Sequence, residues 1–182
     1  MQAGELTGKY IICSCEGVAE ETIIDILLDN DRLCFKRDDL IGKKSTRIRE
    51  GKNIAREYLC RAYEREIVIL RILDRETEKF SLPKIYEERK NISVINIVTK
   101  PEIEILHIIA DGLMDEFKNQ KKLKASEYYK SCLSKQGRHC NVKSEAFVRA
   151  KYADDVEKLI AAIKEQSRVI EQKAPHLWDL IK

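Results

Sequence analysis

Three carboxylates come directly after apolar runs that we predict to be strands. Glu16 follows residues 9–15, and Asp74 and Glu76 follow residues 67–73. If the two strands are neighbours in a parallel sheet, all three side chains lie at one edge of it. Clustered carboxylates repel one another unless a cation neutralises them. Because oxygen ligands without His or Cys suit hard ions, the pattern predicts a site for Mg²⁺ or Mn²⁺.

A purely structural role for these acids is the alternative. Acidic residues are common after strands because they suit turns and the first turns of helices. For Glu16 or Asp74 taken singly, that role is the more frequent one, as for any short motif. The joint placement at the ends of two strands is what favours a metal site over a scaffold whose acids only cap helices.

The spacing of apolar residues predicts an α/β fold with a mainly parallel sheet. The pattern predicts, in order, a strand over 9–15, a helix around 23–28, a short strand over 33–36, a loop over 37–52, a helix around 54–62, and strands over 67–73 and 92–98. Strands that alternate with helices of this length favour a parallel sheet covered on both faces. Ligands of such sheets gather beyond the carboxyl ends of the strands.

The rest of the chain is predicted to be a helical C-terminal layer. Pro101 suits the first turn of a helix that continues to about residue 113. Further helices are expected at about 126–134, 144–152 and 154–172, and the tail around 176–180 is expected to dock on the body. We therefore predict a sheet domain over 1–99 and a helical part over 100–182, which together form one folding unit.

The segment 36–65 is strongly basic. It holds ten Lys and Arg against five Asp and Glu, a net charge of +5, whereas the whole 182-residue chain has 34 against 31 and a net charge of +3. That overall balance excludes a globally basic protein that coats nucleic acid. A basic loop beside an acidic metal site suits phosphate-backbone binding, although a solvent-exposed helix face is an equally frequent explanation. The residues predicted to bind nucleic acid are Lys43, Lys44, Arg47, Arg49, Lys52 and Arg56.

Three short motifs resemble the Toprim fold, which occurs in topoisomerases, primases and nucleases. Residues 15–21 read C-E-G-x-x-E-E, residues 74–76 read D-R-E after an apolar strand, and residues 100–104 read K-P-E-I-E. They are most similar to the RloB-like group, which is encoded beside bacterial restriction and anti-phage systems and has E-G-x-x-T-E, D-R-D and N-P-x-F-E at these places. The resemblance covers about residues 9–110.

The resemblance implies a Toprim-like (Rossmann-like) sheet and a Mg²⁺- or Mn²⁺-dependent nuclease acting on RNA or DNA. Glu16 and Asp74 would be catalytic, with Glu16 as general base or metal ligand. The metal ligands would be Glu16, Asp74, Glu76 and Glu104, supported by Gly17, Glu21 and Lys100.

Three departures from the group motif keep a second function open. Glu20 stands in place of threonine, Glu76 in place of the second aspartate, and Lys100 in place of asparagine. The alternative is a catalytically weakened subunit that binds nucleic acid and acts with an ATPase or another partner of a restriction system. The resemblance also allows a homodimer, since Toprim-like domains often self-associate.

A cytoplasmic protein without a membrane partner is expected. No apolar run approaches the roughly 18 residues of a membrane span, and the first residues lack the pattern of a secretory signal. The six cysteines are therefore expected to be reduced and mostly buried.

Overall fold

The computed structural model describes residues 5–75, 77–120, 123–169 and 174–182. Within these ranges the protein is an α/β structure with one three-stranded parallel sheet in the order β1 (Tyr10–Cys15), β2 (Ile67–Leu73) and β3 (Ile92–Val98). Tyr10 is paired with Ile67, and Ile67 with Ile92. The prediction of a parallel sheet is confirmed.

Strand β2 forms the centre of the sheet. All seven of its residues are buried, and its apolar run is interrupted only by Arg71. A continuous apolar run is typical of a strand covered on both faces. By contrast, β3 lies at an edge, and the side chain of Val94 in its middle is 42% exposed.

An irregular segment runs beside the other edge of the sheet. Leu40 pairs with Ile11, and Thr46 pairs with Ser14, both in parallel orientation. The Cys15 N–H donates to the Thr46 carbonyl at 2.8 Å. Residues 40–46 therefore follow β1 and end at its carboxyl end.

Eight α-helices are found in the described ranges. They are α1 (Val18–Asp29), α2 (Gly51–Ile54), α3 (Lys84–Glu87), α4 (Ile105–Ala110), α5 (Met114–Lys118), α6 (Ala125–Lys135), α7 (Glu145–Tyr152) and α8 (Val156–Val169). Helix α2 continues as a π-helical turn (Ala55–Leu59), and two 3₁₀ turns cover Arg37–Asp39 and Leu177–Leu180. None of the described helices is long and apolar enough to cross a bilayer.

Two apolar cores lie on opposite faces of the sheet, because side chains alternate along a strand. Ile11, Cys13 and Cys15 enter the larger core, where α1, α4, α6, α7 and α8 pack. Ile12 and Ile69 enter the smaller core with α2 and its π-helical turn. The larger core contains apolar residues from both sides of residue 100. The helical layer and the sheet therefore pack against each other in one core.

Three local predictions were wrong. The strand expected over 33–36 is a single antiparallel bridge between Leu33 and Ile181, because the C-terminal tail pairs there. Pro101 does not open a helix: the Thr99 N–H still donates to the Leu73 carbonyl at the sheet edge, and α4 begins at Ile105. Only two of the six cysteines are buried, Cys13 and Cys15.

Candidate active site at the carboxyl edge of the sheet

The parallel pairing of β1 and β2 brings Glu16 and Asp74 together. Cys15 is paired with Ile72, so both strands end at the same level and their next side chains share one edge. The Asp74 N–H donates to Glu16 Oε2 at 2.9 Å. The Asp74 carboxylate in turn accepts a hydrogen bond from the Thr99 hydroxyl, at 3.3 Å.

Three further carboxylates surround this pair, and we call the group of five the acidic edge: Glu16, Glu20, Asp74, Glu102 and Glu104. Glu20 and Glu104 are 5% and 2% exposed. Glu104 Oε2 is buried and accepts no hydrogen bond from the described residues, and its ion pair with Lys143 is long, at 3.5 Å. A buried carboxylate oxygen without a hydrogen bond is costly, so this atom is suited to receive a cation or a proton.

Burial and mutual repulsion raise the pKa of several of these carboxyls. The pKa of Glu20 is raised to about 7, first by burial and then by the charges of Asp74, Glu104 and Glu16. Burial is also the main cause of the raised pKa of Asp74, to which Glu16 adds. The pKa of Glu104 is raised by burial as well, although Lys143 opposes the shift. The acidic edge therefore carries negative charge that its surroundings neutralise incompletely.

Lys143 and Arg49 contact the acidic edge. Lys143 Nζ lies 3.5 Å from Glu104 Oε2 and 3.9 Å from Glu102 Oε1. Arg49 Nη2 lies 3.3 Å from Glu16 Oε1. Part of the acidic edge is thus paired with side-chain cations.

Arg49 is held in place by an alternating chain of charges that reaches into the sheet. Its Nη2 lies 2.9 Å from Glu78 Oε2, and Glu78 Oε1 accepts from Arg71 Nη2 at 2.9 Å. Arg71 is fully buried on β2, donates to Asn96 at 3.3 Å and lies over the Phe80 ring. A guanidinium held by paired carboxylates loses less freedom when it binds an anion.

Gly17 allows the Glu20 carboxylate to turn back over the start of α1. A Cβ atom at position 17 would lie 2.9 Å from Glu20 Oε2, which is closer than Cβ atoms approach other heavy atoms in proteins. The glycine of the E-G motif therefore makes room for a carboxylate of the acidic edge.

The basic segment reaches the acidic edge because residues 40–46 run parallel to β1. Arg47 Nε lies 3.2 Å from Glu21 Oε2, and Lys43 pairs with Asp38. The side chains of Lys44, Lys52 and Arg56 are exposed. A cavity of about 570 Å³ adjoins Arg49 and is lined by Lys52 and Lys79 as well as by acidic residues.

Of the other candidate site residues, Glu21 lies apart from the acidic edge. Glu21 faces Arg47, and among its neighbours are Asp25 and Glu145 rather than the acids at the strand ends. Lys100 is half-buried, and its carbonyl accepts a hydrogen bond from Gln166. Glu76 lies outside the described residues.

Glu20 and Lys143 were not identified as site residues from the sequence. Glu20 precedes Ile23, Ile24 and Leu27 by three, four and seven residues, so the helical period places it on the buried face of α1. That spacing could have identified Glu20 as a buried carboxylate. Lys143 meets Glu104 only through tertiary packing, 39 residues along the chain, and no local pattern marks it.

In the ranges that the structure describes, no three His, Cys, Asp or Glu side chains are arranged so that they could hold a metal ion as they stand. Comparison of the chain with protein-family models, curated proteins and solved structures finds no match.

Proposed function

We propose that the protein is a Mg²⁺-dependent nuclease that hydrolyses phosphodiester bonds in RNA or DNA. The observation that carries the proposal is the meeting of Glu16 and Asp74 at the carboxyl ends of paired parallel strands, with the buried Glu104 carboxylate nearby. Ligands of parallel sheets bind at this edge. The proposal includes a Toprim-like fold and a role beside a bacterial anti-phage or restriction system, for which the RloB-like motifs are the support.

The chemistry of the acidic edge suits a hard divalent cation, and its side chains have to rearrange before three of them can ligate one. Glu16, Asp74 and Glu104 offer only carboxylate oxygens, which Mg²⁺ and Mn²⁺ prefer. Burial is the main cause of the raised pKa of Asp74 and of Glu104, and a bound cation would stabilise their charged forms. Arg49 and Lys143 contact two of these acids, so Glu16 and Glu104 have to release these cations before they can ligate a metal ion. When bound, the ion would polarise the phosphodiester and lower the pKa of a water.

The chain itself supplies the means to hold the polyanion. Arg49, fixed by the buried Arg71 through Glu78, would contact a phosphate next to the acidic edge. The exposed cations of the basic segment extend this contact along the backbone of the nucleic acid, and phosphate contacts of this kind position a substrate without reading its sequence. Their full set is Lys43, Lys44, Arg47, Arg49, Lys52 and Arg56.

A catalytically weakened subunit that binds nucleic acid is the second candidate function. It is favoured by the pairing of Glu16 with Arg49 and of Glu104 with Lys143, which compensates part of the charge of these carboxylates without a metal. In this case the basic segment binds nucleic acid, and an ATPase or another partner supplies the activity.

A cleavage assay distinguishes the two functions. Labelled tRNA, single-stranded DNA and duplex DNA are incubated with the protein and Mn²⁺, beside Asp74→Asn and a chelator control. A nuclease cleaves at least one substrate, and both the substitution and the chelator abolish cleavage. Asp38→Asn is the matched control, because this exposed carboxylate pairs only with Lys43 in the described contacts.

The opposite result identifies the second function. If no substrate is cleaved but nucleic acid is retained equally with Mn²⁺ and with chelator, the nuclease proposal is rejected. Loss of that retention in Arg49→Ala would then identify the basic segment as the binding surface.

A further inference from the structure

A second charged cavity lies in the helical layer, away from the acidic edge. It has a volume of about 310 Å³ and is lined mainly by three cations, one carboxylate and two aromatic rings: Arg138, Lys151, Lys158, Asp111, Tyr129 and Phe147. Helix α4 separates it from the acidic edge, since Glu104 precedes that helix and Asp111 follows it. The separation of seven residues between Glu104 and Asp111 corresponds to about 10 Å along a helix axis.

The cations of this cavity are arranged around a single carboxylate. Lys151 Nζ lies 2.7 Å from Asp111 Oδ1 and 2.9 Å from Tyr129 Oη, and Lys158 Nζ lies 3.4 Å from the same Asp111 oxygen. Tyr129 Oη donates to Asp111 Oδ2 at 2.5 Å. The Lys151 side chain is only 12% exposed, so its charge lies inside the protein and not at the end of a mobile surface chain.

Arg138 adds a third cation at the rim. The left-handed conformation of Gly137 (φ +73°) ends α6 and turns the chain, and the Arg138 N–H donates to the Leu133 carbonyl at 2.9 Å. The Arg138 side chain has no hydrogen bond or ion pair with any residue of the described ranges, and it lines the cavity. Its guanidinium is therefore available to a ligand.

Positive charge is in excess in this cavity. Three cations face one carboxylate, a net charge of +2. The pKa of Lys151 is lowered mainly by burial, and Lys158 and Arg138 lower it further, while Asp111 opposes the shift. The neighbouring His107 adds no charge at neutral pH, because burial and Lys151 lower its pKa to about 4.

We propose that this cavity binds the phosphate group of a small phosphate monoester, such as a nucleotide or a sugar phosphate. A phosphate monoester carries a charge close to −2 at neutral pH, which matches the excess charge of the lining. Arg138 can donate two parallel hydrogen bonds to phosphate oxygens, and the two lysines add point charges. The volume lies at the lower end of the range for ligand pockets, which suits a small molecule rather than a polymer. Phe147 provides a wall for the remainder of the ligand.

Calorimetric titration tests this proposal. Inorganic phosphate, ribose 5-phosphate and adenosine monophosphate are titrated into the full chain in the presence of chelator, so that the acidic edge contributes no metal. We expect binding of at least one probe, and Arg138→Ala and Lys158→Ala should each weaken it by about tenfold or more. Both residues are at least partly exposed, so these variants are expected to fold.

The control variant is Lys135→Ala, which removes an exposed cation of α6 that does not line the cavity. It should leave the affinity unchanged, and so should Asp74→Asn at the acidic edge. Tighter binding of the nucleotide or of the sugar phosphate than of inorganic phosphate would identify the source of the phosphate group. The proposal is overturned if none of the probes binds at millimolar concentration, or if Lys135→Ala weakens binding as much as Arg138→Ala.

Discussion

Replacing Glu20 with glutamine tests the electrostatics of the acidic edge. Glu20 is 5% exposed, and its pKa rises from an ordinary 4.5 to about 7 because of burial and neighbouring carboxylates. Below pH 4.5 the carboxyl is protonated in both the folded and the unfolded chain and contributes nothing to the pH dependence. Between pH 4.5 and 7 the unfolded chain releases its proton first, so the folded state loses stability as the pH rises.

The size of this loss follows from the two pKa values. A pKa raised from 4.5 to about 7 corresponds to a loss of about 3 kcal/mol above pH 7. Glutamine stays neutral throughout, so Glu20→Gln should be more stable than the natural chain by about 3 kcal/mol at pH 8. At pH 5 the same relation gives a difference under about 1 kcal/mol.

Urea unfolding at pH 5 and pH 8, with chelator present, measures the two differences through the fluorescence of Trp178, the only tryptophan of the chain. Glu57→Gln serves as the control, because Glu57 is an exposed acid whose replacement should change stability by about 0.5 kcal/mol or less at either pH. A gain from Glu20→Gln that is equal at both pH values would refute the electrostatic reasoning. So would a Glu20→Gln protein that is less stable than the natural chain at pH 8.

Three further substitutions test other parts of the structure. Arg71→Ala removes a fully buried guanidinium and leaves its partner Glu78 with Arg49 alone, so it should cost about 3 kcal/mol, seen as a lower urea midpoint; a change below about 1 kcal/mol would contradict the buried pair. Gly51→Ala would place a Cβ 2.1 Å from the Ser81 carbonyl oxygen, so a loss of about 2 kcal/mol or more is expected in thermal unfolding, and unchanged stability would contradict this packing. Lys143→Ala removes the cation beside Glu104 and should tighten Mn²⁺ binding several-fold in calorimetry, whereas weaker binding would assign Lys143 a supporting role.

Most of the sheet could be predicted from the sequence because its signals are local. Strands β1 and β2 are compact apolar runs, and the acid after each run is placed by the parallel pairing alone. The helical period could also have assigned Glu20 to the buried face of α1. Where the period of a helix or strand decides which face a side chain lies on, that face can therefore be predicted from the sequence alone.

The remainder depends on contacts between distant parts of the chain. Leu33 was predicted to lie in a strand but forms a single β-bridge with Ile181 of the tail, 148 residues away in sequence. Lys143 reaches Glu104, and Arg49 is held by the buried Arg71 through a carboxylate, in each case only after the helical layer and the loops have packed. Pairings of this kind leave no period or motif in the sequence.

The most direct test of the acidic edge as a metal site is a calorimetric titration with Mn²⁺. We predict that the natural chain binds Mn²⁺ and that Glu16→Gln and Asp74→Asn each weaken binding by about tenfold or more, because each removes a charged oxygen ligand. Asp38→Asn, at an exposed carboxylate, should bind as the natural chain does. Equal affinity in Asp74→Asn and the natural chain, or no Mn²⁺ binding to either, would contradict the account.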